Sequence, residues 1–289
     1  QAPADLAVID LSPDGSTELA FTRDQVERMQ GLDGGVRKRV LAALSIGQAE
    51  AGRFYWRSDW VRNHKPTKAA PRWLSEVDRY GWNDRAHVRF WEAGWSDILI
   101  GRGDSCLDRA IEAGFDGVYL EGLDAFTHWQ SVARGRDQNT NAAADMVALV
   151  ERIAHYAWVE RGRSQFAIVA QNPGGLLEYD ALRNVLSAVA QEDLLFRMAP
   201  AADGLPAVEQ RTEAEIRAHL AELRLAQLDG LPILAVEYLM DREEDRANVE
   251  PAADLLRQLG TIPHFAVRDL HRLMPPTPLS RAQRITGQG

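Results

Sequence analysis

Gly114-Phe115-Asp116-Gly117-Val118-Tyr119-Leu120-Glu121-Gly122-Leu123-Asp124 decides how the chain is read. A glycine that stops a helix, then a short apolar run from Gly117 with no room for another helix, then two carboxylates, describe a strand that delivers acids to a rim. In a barrel of alternating strands and helices the active site lies where the strands end. An acid at the C-terminal end of a strand is therefore a catalytic candidate.

On either side of this stretch the arrangement recurs. Strands are predicted over residues 6–12, 40–46, 88–91, 117–121, 166–170, 188–192, 232–238 and 262–267, each an apolar run closed by a turn or polar residue. Between them, Thr22 with Gln25 and Thr212 with Glu215 mark capped helix starts, and Gly260 marks a stop. Residues 95–114 read as mostly helical, and Met146, Val147, Val150 and Ile153 recur at helical spacing. Eight strand–helix alternations indicate an α/β protein, a single (β/α)8 (TIM) barrel over residues 1–274 with a loose tail at 275–289. A doubly wound sheet satisfies the same periodicity. Residues 51–86 carry Tyr55, Trp56, Trp60, Trp73, Tyr80 and Trp82 among prolines and charges, and read as an aromatic-rich insertion after strand 2 on the active-site face.

The 289 residues carry a net charge of −9, which argues against a nucleic-acid partner and suits either solubility or a cationic ligand. With 45% apolar and 26% charged residues the chain is an ordinary globular one. Cys106 is the single cysteine, so an intrachain disulfide and a thiolate metal cage are both excluded. No apolar run approaches the roughly 20 residues of a membrane span. The chain opens Gln1-Ala2-Pro3-Ala4-Asp5 without Met, as a chain trimmed after signal removal, or simply cut there, would; export is the expected destination.

Asp10, Glu121, Glu192 and Glu237 fall at the predicted ends of strands one, four, six and seven, and Asp124 follows Glu121 by three residues. One such acid alone is more often a cap or an ion-pair partner; four on one rim favour function. Paired carboxylates with aromatic walls are what glycoside hydrolysis needs, one acid protonating the leaving oxygen while the other attacks the sugar or activates water. Tyr119, Trp129, Tyr238 and the aromatics of the insertion are candidate sugar platforms, although any single Trp is more often core. There is no Gly-x-Ser-x-Gly elbow, His-Glu-x-x-His or Walker loop, and the histidines lack ligand spacing, which leaves a carboxylate-only magnesium or calcium site as the minor metal alternative.

Taken together, Val8-Ile9-Asp10, the run 44–50 with Arg53, Tyr55-Trp56 and Trp60, Phe90-Trp91, the run 114–121 with Leu123-Asp124-Ala125, Ala170-Gln171-Asn172 and Gln191-Glu192 resemble glycoside hydrolase family 114, the endo-α-1,4-polygalactosaminidases and their bacterial relatives. The resemblance implies a (β/α)8 fold, hydrolysis of α-1,4-linked galactosamine-rich polysaccharide, no cofactor and no metal, and a secreted, periplasmic or envelope location. It places the catalytic pair on Glu121 and Glu192, with Glu192 as general acid/base and Glu121 as nucleophile. Asp10, Glu50, Arg53, Tyr55, Trp91, Tyr119, Asp124, Asn172, Glu237 and Tyr238 are the expected substrate-binding residues.

Two positions depart from the family pattern, which usually has Asp at 121 and often Glu at 48, where this chain has Gln. An added methylene moves the carboxylate by more than about 1 Å, enough to alter a reaction that depends on positioning. An acidic rim suits an unacetylated amino sugar, whose ammonium Asp10, Glu50, Asp124 or Glu237 would pair. The competing expectations are a catalytically silent glycan-binding barrel of the envelope and a barrel hydrolase of another class.

Overall fold

The computed structural model describes residues 5–31, 37–77, 85–132, 138–199 and 207–270. Tyr80, Trp82 and the predicted tail at 275–289 lie outside them. The chain divides into two compact units, one running from Asp5 to Ser187 and one from Ala188 onward.

In chain order the N-terminal unit has β1 (Leu6–Ile9), α1 (Arg23–Gln30), β2 (Arg39–Ser45), β3 (Gln48–Glu50), β4 (Val61–Arg62), β5 (Lys65–Pro66), β6 (Leu74–Val77) and β7 (Arg85–Val88). These are followed by α2 (Ala93–Leu99), α3 (Cys106–Ala113), β8 (Gly117–Glu121), α4 (Ala142–His155), β9 (Ala167–Gln171) and α5 (Asp180–Arg183). β1, β2, β8 and β9 form a parallel ladder in that order. Four of the five residues of β8 and of β9 are buried, the near-continuous apolar run of a sheet covered on both faces. Helix starts are set chemically. Thr22 with Gln25 and Ser105 with Asp108 make full capping boxes, and α3 stops at Gly114, whose φ of 85° is left-handed.

One expectation is corrected here. The third predicted strand does not join the parallel ladder: β2 pairs directly with β8, while β7 runs antiparallel between β3 and β6 in a separate small sheet. The burial of β7 alternates, as expected for a strand with one covered face, and Phe90 and Trp91 fall beyond its end. Residues 95–114 are mostly helical, as predicted, in two helices separated where Gly101 and Gly103 adopt φ of 90° and 80°.

The insertion has a core of its own. Phe54, Tyr55, Trp95, Trp73, Trp60 and Trp56 form a continuous chain of rings with centroids 4.9–5.7 Å apart. Trp95 is fully buried and its indole N–H donates to the carbonyl of Ile46 at 2.7 Å, tying the insertion to the end of β2. The hairpin β4–β5 turns at Asn63 and His64, both left-handed.

The C-terminal unit has β10 (Ala188–Glu192), β11 (Phe196–Ala199), β12 (Ala207–Gln210), α6 (Glu213–Leu228), β13 (Ile233–Glu237), α7 (Glu243–Arg246), α8 (Val249–Gln258) and β14 (Ile262–Phe265). β10, β13 and β14 are parallel in that order, and β11 pairs with β12 as an antiparallel hairpin that the strand count did not anticipate. Thr212 and Glu215 cap α6 reciprocally, as predicted.

Candidate active site

Glu121 is the last residue of β8 and Glu192 the last of β10, so each unit ends one parallel strand on a half-buried acid. The backbone places Glu121 firmly. Its carbonyl accepts the Ile46 N–H at 2.9 Å, and Gly47 packs on the turn behind it so closely that a Cβ there would lie 1.9 Å from the Gly122 carbonyl oxygen. Gly122 itself has φ of 75°.

Around Glu121 the N-terminal unit assembles alternating charges. Asp10, one residue beyond β1, lies 2.9 Å from Arg53 Nη2. Arg53 also pairs with Glu50, and Arg85 Nη2 lies 3.0 Å from Glu50 Oε1 and 3.8 Å from Glu121 Oε2. Glu50 is buried, and its backbone N–H donates to the Tyr55 hydroxyl at 3.1 Å. Burial, which lowers the pKa of Arg53, is outweighed by Glu50 and Asp10, so its guanidinium is held above its ordinary value. Burial pushes the Tyr55 hydroxyl up. Behind this row lies a cavity of about 50 Å³ lined by Leu44, Glu50, Arg53, Phe54, Tyr55 and Cys106 among others, and burial pushes the Cys106 thiol up to about 12.

Asp124 sits on the turn Leu123–Ala125 and is exposed, with no ion-pair partner among the described residues. Burial around its carboxyl raises its pKa, offset in part by its own backbone N–H, Arg85 and His87. His87 stacks flat on His128, centroids 3.8 Å apart. Trp91 is half-buried and meets Trp129 edge-on at 5.0 Å. Asn172 follows β9 with φ of 45°. Tyr119 and Trp129 are buried, so of the two readings of Trp129, sugar platform or core, its burial favours the core.

In the C-terminal unit the Tyr238 hydroxyl donates to Glu192 Oε1 at 2.6 Å. Tyr238 is buried, and its ring is covered by the Arg268 guanidinium at 3.9 Å, which also grips Asp193 through two bonds of 2.9 Å. Glu237 is fully buried, and its oxygens accept the Leu195 N–H at 2.7 Å and the Phe196 N–H at 3.2 Å. This carboxyl holds the turn after β10. Burial pushes its pKa up to about 7 against the pull of those N–H groups.

The structure thus brings Asp10, Glu50, Arg53, Tyr55 and Glu121 together in one unit, and Glu192 with Tyr238 in the other. Arg85 and Arg268 were missed from the sequence, where an arginine carries no signal until its partners are placed. Among the described residues no group of three or more His, Cys, Asp or Glu side chains is placed to hold a metal, and no helix is long and apolar enough to cross a membrane.

Residues 2–276 match the profile of glycoside-hydrolase family GH114. An uncharacterized protein of Methanocaldococcus jannaschii is 32% identical over 270 residues, covering 91% of this chain and 70% of its own. The fold is similar to that of the glycoside hydrolase domain of PelA from Pseudomonas aeruginosa, with TM-score 0.62 and 18% identity, over 94% of this chain and 98% of that one. It is also similar to Aspergillus fumigatus Ega3, solved with galactosamine, with TM-score 0.58 and 16% identity, over 93% and 86% of the two chains. The fold is of the (β/α)8 class that the strand–helix alternation predicts.

Proposed function

The chain belongs to glycoside-hydrolase family GH114, and from that premise we propose that it cleaves α-1,4-linked, galactosamine-rich polysaccharide with Glu192 as general acid/base and Glu121 as nucleophile. The observation that carries this reading is the coincidence of a family match over nearly the whole chain with acids on the last residue of β8 and of β10. Galactosamine bound to Ega3, a protein of similar fold, supports the sugar class.

Glu192 protonates the glycosidic oxygen as the bond to the anomeric carbon breaks, and Glu121 attacks that carbon to form a glycosyl-enzyme. Water, deprotonated by Glu192, then releases the sugar. The Tyr238 hydroxyl donates to Oε1 of Glu192 and so helps to fix the orientation of the carboxyl that transfers the proton. For the substrate ammonium, Asp10 and Glu50 are already engaged by arginine, so Asp124 is the acid we assign to it. A polymer substrate also fits an exported protein, which fractionation of the producing cells would test.

The deciding experiment measures reducing ends released from polygalactosamine at several degrees of acetylation, with chitosan and neutral polymers as controls. Wild type should cleave the galactosamine polymer and Glu192→Gln should not. Full activity in Glu192→Gln would overturn the mechanism. No cleavage by folded wild type, with polymer still bound, would replace it with the glycan-binding reading.

A further inference from the structure

We propose that Arg85 is the positioning residue for Glu121, and that Asp10, Arg53 and Glu50 form the ion-pair row that holds Arg85 in place. The inference rests on the reading of Glu121 as a catalytic carboxylate.

The row is fixed by strand register. Glu50 and Arg85 are Cα partners across β3 and β7, so their side chains meet as direct cross-strand neighbours. Glu121 is the Cα partner of Ser45 across β8 and β2, and the Ser45 hydroxyl donates to the Gln48 carbonyl at 2.9 Å, which closes the turn leading from β2 into β3. The backbone that sets Glu121 thus also sets the strand carrying Glu50.

Burial makes the row necessary. Glu50 is 7% exposed, and a buried carboxylate left unpaired is costly, so two guanidiniums flank it. One of these, Arg53, is shared with Asp10. The other, Arg85, uses the same Nη2 for Glu50 at 3.0 Å and for Glu121 at 3.8 Å. The shorter pair tethers the guanidinium. The longer exceeds hydrogen-bond length, so Arg85 acts on the Glu121 carboxylate by charge and not through a hydrogen bond.

The row also answers the additional methylene at this position. Glu has one more rotatable bond than Asp, and a fixed cation within 4 Å restricts the rotamers that bond adds. Three carboxylates against two guanidiniums leave one negative charge in the row, the sign a cationic sugar requires.

The test uses the whole chain and polygalactosamine, with Glu121→Gln, Arg85→Ala, Arg85→Lys, Glu50→Gln and the double variant Glu50→Gln/Arg85→Ala. Arg85→Ala should lower kcat about 30-fold or more with KM within about twofold, the pattern of lost transition-state positioning. Arg85→Lys should recover at least about a third of the loss on a logarithmic scale, since the charge survives without the fork. The double variant should be no slower than Arg85→Ala alone, because Glu50 acts through Arg85.

A kcat for folded Arg85→Ala within about threefold of wild type, while Glu121→Gln is dead, would overturn the proposal and leave the reading of Glu121 standing. Full activity in Glu121→Gln would overturn both. Should Arg85→Ala fail to fold, Arg85→Lys decides: lowered kcat at unchanged KM supports positioning, and unchanged kcat overturns it.

Discussion

Asp124 and Glu237 are carboxyls whose pKa burial raises, yet they do opposite work. Asp124 is exposed and without an ion-pair partner among the described residues, so its charge is available to a ligand. In the role proposed for it the ionised form pairs with the substrate ammonium, and that form is lost as pH falls through a pKa above that of an ordinary Asp. Asp124→Asn should therefore raise KM for deacetylated polymer and flatten the rise in KM on acidification, measured by initial rates across pH. Glu237 faces inward. Its folded pKa of about 7 lies above its ordinary 4.5, so its stabilising contribution is whole below about pH 4.5 and is lost as pH rises through 7. The lost stability is on the order of 3 kcal/mol. Glu237→Gln should be less stable than wild type at pH 5 and should show little of that slope in denaturation curves between pH 5 and 8. The sequence made both acids visible as strand-end or turn carboxylates. It gave no sign of which was committed to the backbone, because that depends on the turn at Leu195 and Phe196 meeting the end of β13.

At the scale of elements, legibility followed chemistry that is local in the chain. The capping pairs at Thr22 and Thr212 need only neighbours three residues away, and they start α1 and α6 where predicted. β10 matches its predicted run residue for residue. The third strand failed because pairing partners are not written in a run as short as Val88-Arg89-Phe90-Trp91, whereas the alternation in Arg85-Ala86-His87-Val88 was the overlooked clue. The close approach of Gly47 to Gly122 predicts that Gly47→Ala forces the turn behind Glu121 to move, costing about 2 kcal/mol and reducing kcat more than KM. Trp95→Ala should cost ~4 kcal/mol, because it removes the fully buried ring that joins Tyr55 to Trp73 and leaves the Ile46 carbonyl without its donor.

For the whole molecule, a net charge of −9 would attract the cationic polymer proposed as substrate before any contact forms. Raising salt from about 0.05 to about 0.5 M should raise KM for deacetylated polygalactosamine and leave that for the acetylated polymer nearly unchanged, since screening acts only on charged substrate. The α/β class and the strand–helix alternation were readable from periodicity. The ion-pair row was not, since it joins Asp10, Arg53 and Glu121 across more than a hundred residues of chain. All eight tryptophans and the single cysteine lie before residue 188. Indole fluorescence and thiol labelling therefore watch one half of the chain only. Cys106 is buried and its thiol pKa is raised to about 12, so its alkylation rate becomes a clock for the opening of α3, while the C-terminal unit melts unseen by either probe. A fluorescence melt that disagrees with circular dichroism would then be a measurement of how independently the two units come apart.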